Sequence, residues 1–368
     1  SLSGFRSYER LEVEFSDGPH VVVGRNAAGK TNLVEALVLL SSGRSHRSSA
    51  DPEMVRWGRE FARTAAEVES DGRSEELEVV IHARGSGSGT RKRIRVNGVN
   101  RRASALRPLL RTVLFAPEDM LLIVGSPSLR RNLLDALLGQ REPAAAPVMS
   151  TYQRALTQRN SLLRRIREEQ ADRGELAYWT QVLLEHGARI LDWRHETLSA
   201  MAEPLAAAHR EIAPEETELS LRYVSNVEPG PSENNEAALR RRLFETAEKE
   251  VWNGATLVGP HRDDLAFVSG GRELTEFASR GQQRTAILAL KLAELDVLTT
   301  LDGRPPLLLL DDVFSELDPE RRAHLVRRIG ELPQAIVTTT TPEDLDPALV
   351  AASTLWRVEP GRVTRSED

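Results

Sequence analysis

The sequence predicts an α/β head assembled from both ends of the chain, with an antiparallel β subdomain and a mostly α-helical inserted lid domain. Val21-Val22-Val23 is a short, wholly apolar run leading into a glycine-rich loop and then a helical pattern, the order strand, loop, helix. Leu307 to Leu310 form a second such run near the other end, and between the two runs apolar residues recur at helical spacing. A chain of 368 residues is too long for one ordinary core and suggests about two domains. The expected boundaries are 1–118 for the N-terminal part of the head, 119–255 for the insertion and 256–368 for the C-terminal part.

Residues 11–24, LEVEFSDGPHVVVG, read as strand, turn, strand, and Asn32 to Leu40 then read as a helix through Leu33, Leu37 and Leu40. From 61 to 102 the pattern alternates as strands do, with Asn97-Gly98 the signal for a type I′ hairpin and GSGSGT at 85–90 a flexible tip. Past Pro117 the chain turns helical. Leu176, Trp179, Leu183, Ile190, Leu198, Met201, Leu205 and Ile212 fit one long amphipathic helix or two in series, with Pro204 a kink. EPGPSENNEAA at 228–238 reads as a linker, after which α/β character returns beyond 255.

The composition, 40% hydrophobic and 28% charged, is that of a globular chain, and no run of 18 apolar residues occurs. The absence of cysteine excludes disulfides and thiolate metal sites. The first residues contain no apolar export region, so a cytoplasmic location is expected, with no membrane partner. A net charge of −6 argues against wholesale coating of nucleic acid but leaves room for a local basic patch. Lysine is scarce, which makes Lys30 in a glycine-rich loop conspicuous.

Gly24-Arg25-Asn26-Ala27-Ala28-Gly29-Lys30-Thr31 is a complete G-x-x-x-x-G-K-T P-loop, with Asn32 next on the helix. Such a loop turns successive N–H groups toward the phosphates of ATP, and the helix adds its positive end. Lys30 is the expected catalytic cation against the β- and γ-phosphates, and Thr31 an expected ligand of Mg²⁺. Leu307-Leu308-Leu309-Leu310-Asp311-Asp312 is a Walker B strand in which Asp311 would hold Mg²⁺ and Asp312 would act on the attacking water; the two acids could also cap the next helix. Ser315-Glu316-Leu317-Asp318 matches a D-loop, and Ala278-Ser279-Arg280-Gly281-Gln282-Gln283 resembles the ABC signature, adding Ser279, Gly281 and Gln282 to the nucleotide contacts. The order P-loop, signature, Walker B, D-loop identifies an ABC-type P-loop ATPase head.

The chain further resembles the RecF family of SMC-like ABC ATPases. Residues 117–135, PEDMLLIVGSPSLRRNLLD, carry that family's Gly125, Pro127, Arg130, Arg131 and Asp135, while Gly43-Arg44-Ser45 and Gly259-Pro260-His261-Arg262-Asp263-Asp264 fit further motifs. The resemblance implies a recombination mediator in DNA replication, recombination and damage repair, nucleoid-associated. It implies an ATP-induced homodimer in which each site is completed by Ser279 and Gly281 of the other subunit. It also implies binding to single-stranded, double-stranded and junction DNA, and loading of RecA with RecO and RecR. Two departures accompany it. The strand QAIVTTTT offers only Thr338 to Thr341 where a switch histidine is usual, and Glu118 stands where a Q-loop glutamine would. With Asp312 and no switch histidine, hydrolysis is expected to be slow and DNA-stimulated.

His261 and Arg262 are either catalytic or part of a turn held by Asp263 and Asp264. Arg91, Lys92, Arg93, Arg95, Arg101 and Arg102 on the hairpin, and Arg154, Arg159, Arg164, Arg165 and Arg167 on a helix, are either solvated faces or DNA contacts. An ABC transporter motor subunit would carry its signature much closer to the P-loop. An SMC-like scaffolding ATPase would need a far longer heptad insertion. A nucleotide-gated module without catalysis is disfavoured by Asp312.

Overall fold

The computed structural model describes residues 1–48, 50–70, 72–83 and 92–366. The expected tip at 85–90 and Arg91 lie outside them. The chain divides into two compact units. The first comprises Ser1–Met120, Ala207–Glu216 and Arg280–Asp368; the second comprises Leu121–Ala206 and Thr217–Ser279.

The first unit is built on a six-stranded sheet in the order Arg362–Arg365, Thr354–Glu359, Gly18–Val23, Gln334–Thr339, Leu307–Asp311, Thr112–Phe115. All neighbours run parallel except the first pair. Leu308, Leu309 and Leu310 are at most 2% exposed, which is why that strand reads as a continuous apolar run. A second, antiparallel sheet has the order Tyr8–Leu11, Leu2–Phe5, Phe61–Ser70, Arg73–His82, Lys92–Val96, Val99–Asn100. Asn97 and Gly98 take φ of 50° and 74° between paired Val96 and Val99, the left-handed pair a type I′ turn requires. The strand expected to open at residue 11 instead ends there, in this second sheet. The helix Lys30–Ser42 shares one core with both sheets, through Leu33 and Leu39 against Val79 and Ile81 and against Val22 and Leu309.

The second unit contains the helices Pro127–Arg141, Ala145–Arg167 and Asn235–Asn253, and most of Leu176–Ile212. That last helix continues through Pro204 as one element, and the division between units falls within it after Ala206. Tyr152, Leu156, Leu183, Leu191, Leu239 and Leu243 form the core. The unit also has a three-stranded antiparallel sheet of Arg272–Glu273, Asp264–Ser269 and Leu219–Val224. This pairing corrects the boundary expected at 256. Asp264–Ser269 bonds along its length to Leu219–Val224, so the segment up to Ser279 stays with the second unit, and the first resumes only at Arg280.

Candidate nucleotide-binding site

The P-loop links the strand Gly18–Val23 to the helix Lys30–Ser42. Gly29 has φ of 122°, and a Cβ on it would fall 2.8 Å from the Tyr8 hydroxyl and 3.0 Å from the Ser7 hydroxyl, so only glycine serves there. Tyr8 Oη donates to the Gly29 carbonyl at 3.0 Å, and Asn32 Nδ2 donates to Ser7 Oγ at 2.9 Å. Sequence reasoning passed over Tyr8 and Ser7, since only tertiary contact brings them to the loop. Lys30 is buried, and its Nζ donates to the carbonyls of Gly24 at 2.6 Å and Arg25 at 3.3 Å. Arg25, Asn26 and Ala27 form the exposed crest, and Ala28, Gly29 and Lys30 its buried base.

Sheet order decides which carboxylates face this loop. Gln334–Thr339 lies between the P-loop strand and Leu307–Asp311, with Val23 level with Thr339 and Asp311 level with Thr338. The parallel strands therefore end together, where ligands of open α/β sheets bind. Thr338 Oγ1 donates to Asp311 Oδ1 at 2.6 Å and accepts from the Asp312 N–H at 3.0 Å. The threonine strand that lacks a histidine thus orients the Asp311 carboxylate and fixes the backbone of Asp312. Burial lowers the Lys30 pKa below the ordinary lysine value, while Asp312 and Asp311 act to raise it, so all three charges lie within reach of one another. Asp312 takes φ of 56°, a left-handed conformation tolerated by Asp and Asn. Asp318 caps the helix Pro319–Gly330 by accepting from Arg321 N at 3.1 Å. Ser279 is exposed, belongs to the second unit and directly precedes the helix Arg280–Thr299, which carries Gly281 and Gln282 in the first. Thr31 is half-buried on the first turn of its helix.

The RecF/RecN/SMC N terminal domain family matches residues 1–362. The DNA replication and repair protein RecF of Limosilactobacillus fermentum is 38% identical over 372 residues, spanning 100% of this chain and 98% of the relative. The chain belongs to the RecF family. A solved structure of the recombination mediator protein RecF-ATPrS in the RecFOR pathway aligns with a TM-score of 0.90 and 31% identity, covering 100% of this chain and 96% of that one. The corresponding RecF-ATP structure aligns at 0.89 with 30% identity and the same coverage. The ABC-type head expected from the motif order is the fold found.

Two of the segments that resembled the RecF family, 121–135 and 259–264, meet in the second unit as one hydrogen-bonded network. Arg130 pairs with Asp264, and Arg131 Nη1 donates to the Asp263 carbonyl at 2.7 Å. Asp135 accepts from Arg194, whose Nη1 also donates to the Pro260 carbonyl at 2.8 Å. Burial raises the Asp263 pKa, against hydrogen bonds from Tyr223 and Ser225. His261 faces Tyr152 Oη at 2.7 Å and the Thr256 carbonyl at 3.2 Å, and Arg262 donates to that same carbonyl. His261 and Arg262 thus sit in a turn, closed by the Arg262 N–H on the Gly259 carbonyl at 2.8 Å, but Asp263 and Asp264 do not hold it, since their carboxylates accept from Tyr223, Ser225 and Arg130. Gly259, at φ of 124°, admits the Tyr152 hydroxyl, which a Cβ would meet at 2.6 Å.

Several basic candidates are tied down. Arg159 is buried and donates to Glu250 at 2.7 Å and Thr256 at 2.8 Å, so it belongs to the core rather than to a DNA face. Lys92 bonds the Gly43 carbonyl and Asp51, and Arg95 bonds Glu78. Arg93, Arg101, Arg102, Arg154, Arg164, Arg165 and Arg167 are exposed. Among the described residues, no helix is long and apolar enough to cross a membrane.

Proposed function

We propose that this chain binds ATP at Gly24–Thr31 and uses it to drive reversible homodimerisation on DNA, as a slow, DNA-stimulated, Mg²⁺-dependent ATPase. In this reading it acts at single-strand/double-strand junctions in the cytoplasm, on the nucleoid, loading RecA with RecO and RecR, and hydrolysis releases it. The observation that carries the reading is the convergence of Lys30, Asp311 and Asp312 at one end of the central sheet. Full-length likeness to RecF-ATP at 30% identity supports it.

The residues present fit the ligand. An ammonium has three donors, and Lys30 uses two on loop carbonyls, leaving one for phosphate. Among the described residues no three His, Asp or Glu side chains group as a metal cage. A Mg²⁺ ion beside phosphates takes only one or two protein ligands, a demand that Thr31 and Asp311 meet. Bound there, the ion would neutralise phosphate charge. Asp312, held by its N–H on Thr338, orients the attacking water. Ser279, Gly281 and Gln282 contact the nucleotide of the second subunit.

The test is the solution mass of the chain alone, with ATP, and with ATP and gapped DNA, beside Lys30→Met. ATP should double the mass of the unmodified chain and leave the variant monomeric. A mass independent of ATP in every condition would overturn the reading.

A further inference from the structure

Arg321 lies in the first turn of the helix Pro319–Gly330, where a cation opposes the helix dipole. Its partners are on other segments. Nη1 pairs with the Asp318 carboxylate, which also accepts from the Arg321 N–H at 3.1 Å, so backbone and side chain close together on the last residue of the D-loop segment. Nε donates to Thr285 Oγ1 at 2.7 Å, on the helix Arg280–Thr299. Nη2 stands 3.9 Å from Glu216 Oε1, just beyond the helix Leu176–Ile212. All four residues belong to the first unit.

Thr285 carries the connection further. It is wholly buried, and its hydroxyl donates to the Gly281 carbonyl at 3.2 Å while accepting from Arg321. A hydroxyl has one proton and two lone pairs, so both bonds form at once. One guanidinium therefore connects Asp318 of the D-loop to Gly281 of the signature through a single intervening side chain. Its donors form a rigid planar fork, which sets the spacing of the groups it holds. The neighbouring Arg322 donates to the Leu317 carbonyl at 2.7 Å, so the same helical turn grips the D-loop twice.

We propose that Arg321 is a positioning residue that fixes the D-loop against the first turn of the signature helix, so that the two motifs meet a second subunit as one rigid surface. This rests on the reading above, in which the signature completes the nucleotide site of that subunit. Without the brace the two segments would have to be ordered during association, an entropic cost that ordering beforehand removes.

The test uses the full chain with Mg²⁺·ATPγS. Sedimentation gives the dimer dissociation constant, and titration of dilute monomer gives nucleotide affinity. The proteins compared are the unmodified chain, Thr285→Val, Thr285→Ser, Arg321→Met and the double variant Thr285→Val with Arg321→Met. Thr285→Val and Arg321→Met should each weaken dimerisation by about tenfold, the scale of one hydrogen bond to a charged group, with monomer affinity unchanged. Thr285→Ser keeps the hydroxyl and should dimerise as the unmodified chain does. The double variant should lose no more than Arg321→Met alone, because residues in one bonded network do not act additively. Additive losses, equal losses of nucleotide affinity and dimerisation, or a Thr285→Val that dimerises normally overturn the inference. Should Arg321→Met fail to fold, the contrast between Thr285→Val and Thr285→Ser decides, and equal dimerisation by those two overturns it. An unmodified chain whose mass does not respond to nucleotide defeats the two-subunit reading itself, a failure distinct from these.

Discussion

Arg130 and Asp264, 134 residues apart in sequence, are joined side by side, Nε to Oδ1 at 2.7 Å and Nη2 to Oδ2 at 2.8 Å. The guanidinium also donates to the carbonyls of Leu122 and Gly125, so one side chain fastens the segment 121–125 to the strand Asp264–Ser269. Glycine at 125 is required, since a Cβ there would meet the Leu121 carbonyl at 2.4 Å. Asp264→Asn removes the counter-charge and leaves a mostly buried guanidinium. Breaking such a pair costs roughly 3 kcal/mol. We expect faster hydrogen exchange across 127–141 and 264–269 in the variant. Equal protection in both proteins would show the pair to be dispensable.

His261 makes the second unit acid-sensitive. Its Nε2 faces the Thr256 carbonyl, so it carries the proton, and Nδ1 accepts from Tyr152. Burial is the main cause that brings its pKa down from 6.5 to about 4. Between those values the unfolded chain binds a proton that the folded chain refuses. The contribution is therefore whole above pH 6.5 and is lost as the pH falls toward 4, by up to about 3 kcal/mol. The melting temperature should fall more steeply over that range in the unmodified chain than in His261→Gln. Parallel slopes, or a His261 resonance titrating near 6.5, would contradict the burial argument.

Asp312→Asn should preserve ATP binding while reducing turnover by at least about a hundredfold, the usual scale for a lost general base. Asparagine tolerates the left-handed backbone at this position, so the Thr338 contacts survive. Nucleotide affinity and phosphate release measured on the same preparation separate the two effects. Wild-type turnover would move the catalytic role elsewhere, with Glu118 the next candidate.

Ser279→Arg tests completion of the site by a second subunit. ATP affinity measured on dilute monomer should change by less than about threefold, because the P-loop of the same chain is untouched. ATP-driven dimerisation and DNA binding should fall together, since both stabilise one closed state and linkage is reciprocal. Sedimentation with and without ATP reads this directly. A variant that dimerises as well as the unmodified chain would mean that Ser279 faces no nucleotide across an interface.

The sequence by itself determined the features whose physics is local. The P-loop, the Leu307–Asp311 strand and the Asn97-Gly98 turn each follow from backbone freedom or burial over a few consecutive residues, and the order P-loop, signature, Walker B, D-loop identified the ABC-type head. Pairings between distant segments were decided only by the tertiary structure. Arg159 reads as a surface cation until Glu250, 91 residues on, buries against it. The segment 256–279 reads as head until Asp264–Ser269 pairs with Leu219–Val224. Thr338 has no motif of its own. It matters because parallel strands end together at Asp311, and which strands become neighbours depends on long-range hydrogen bonding that no short window of residues encodes.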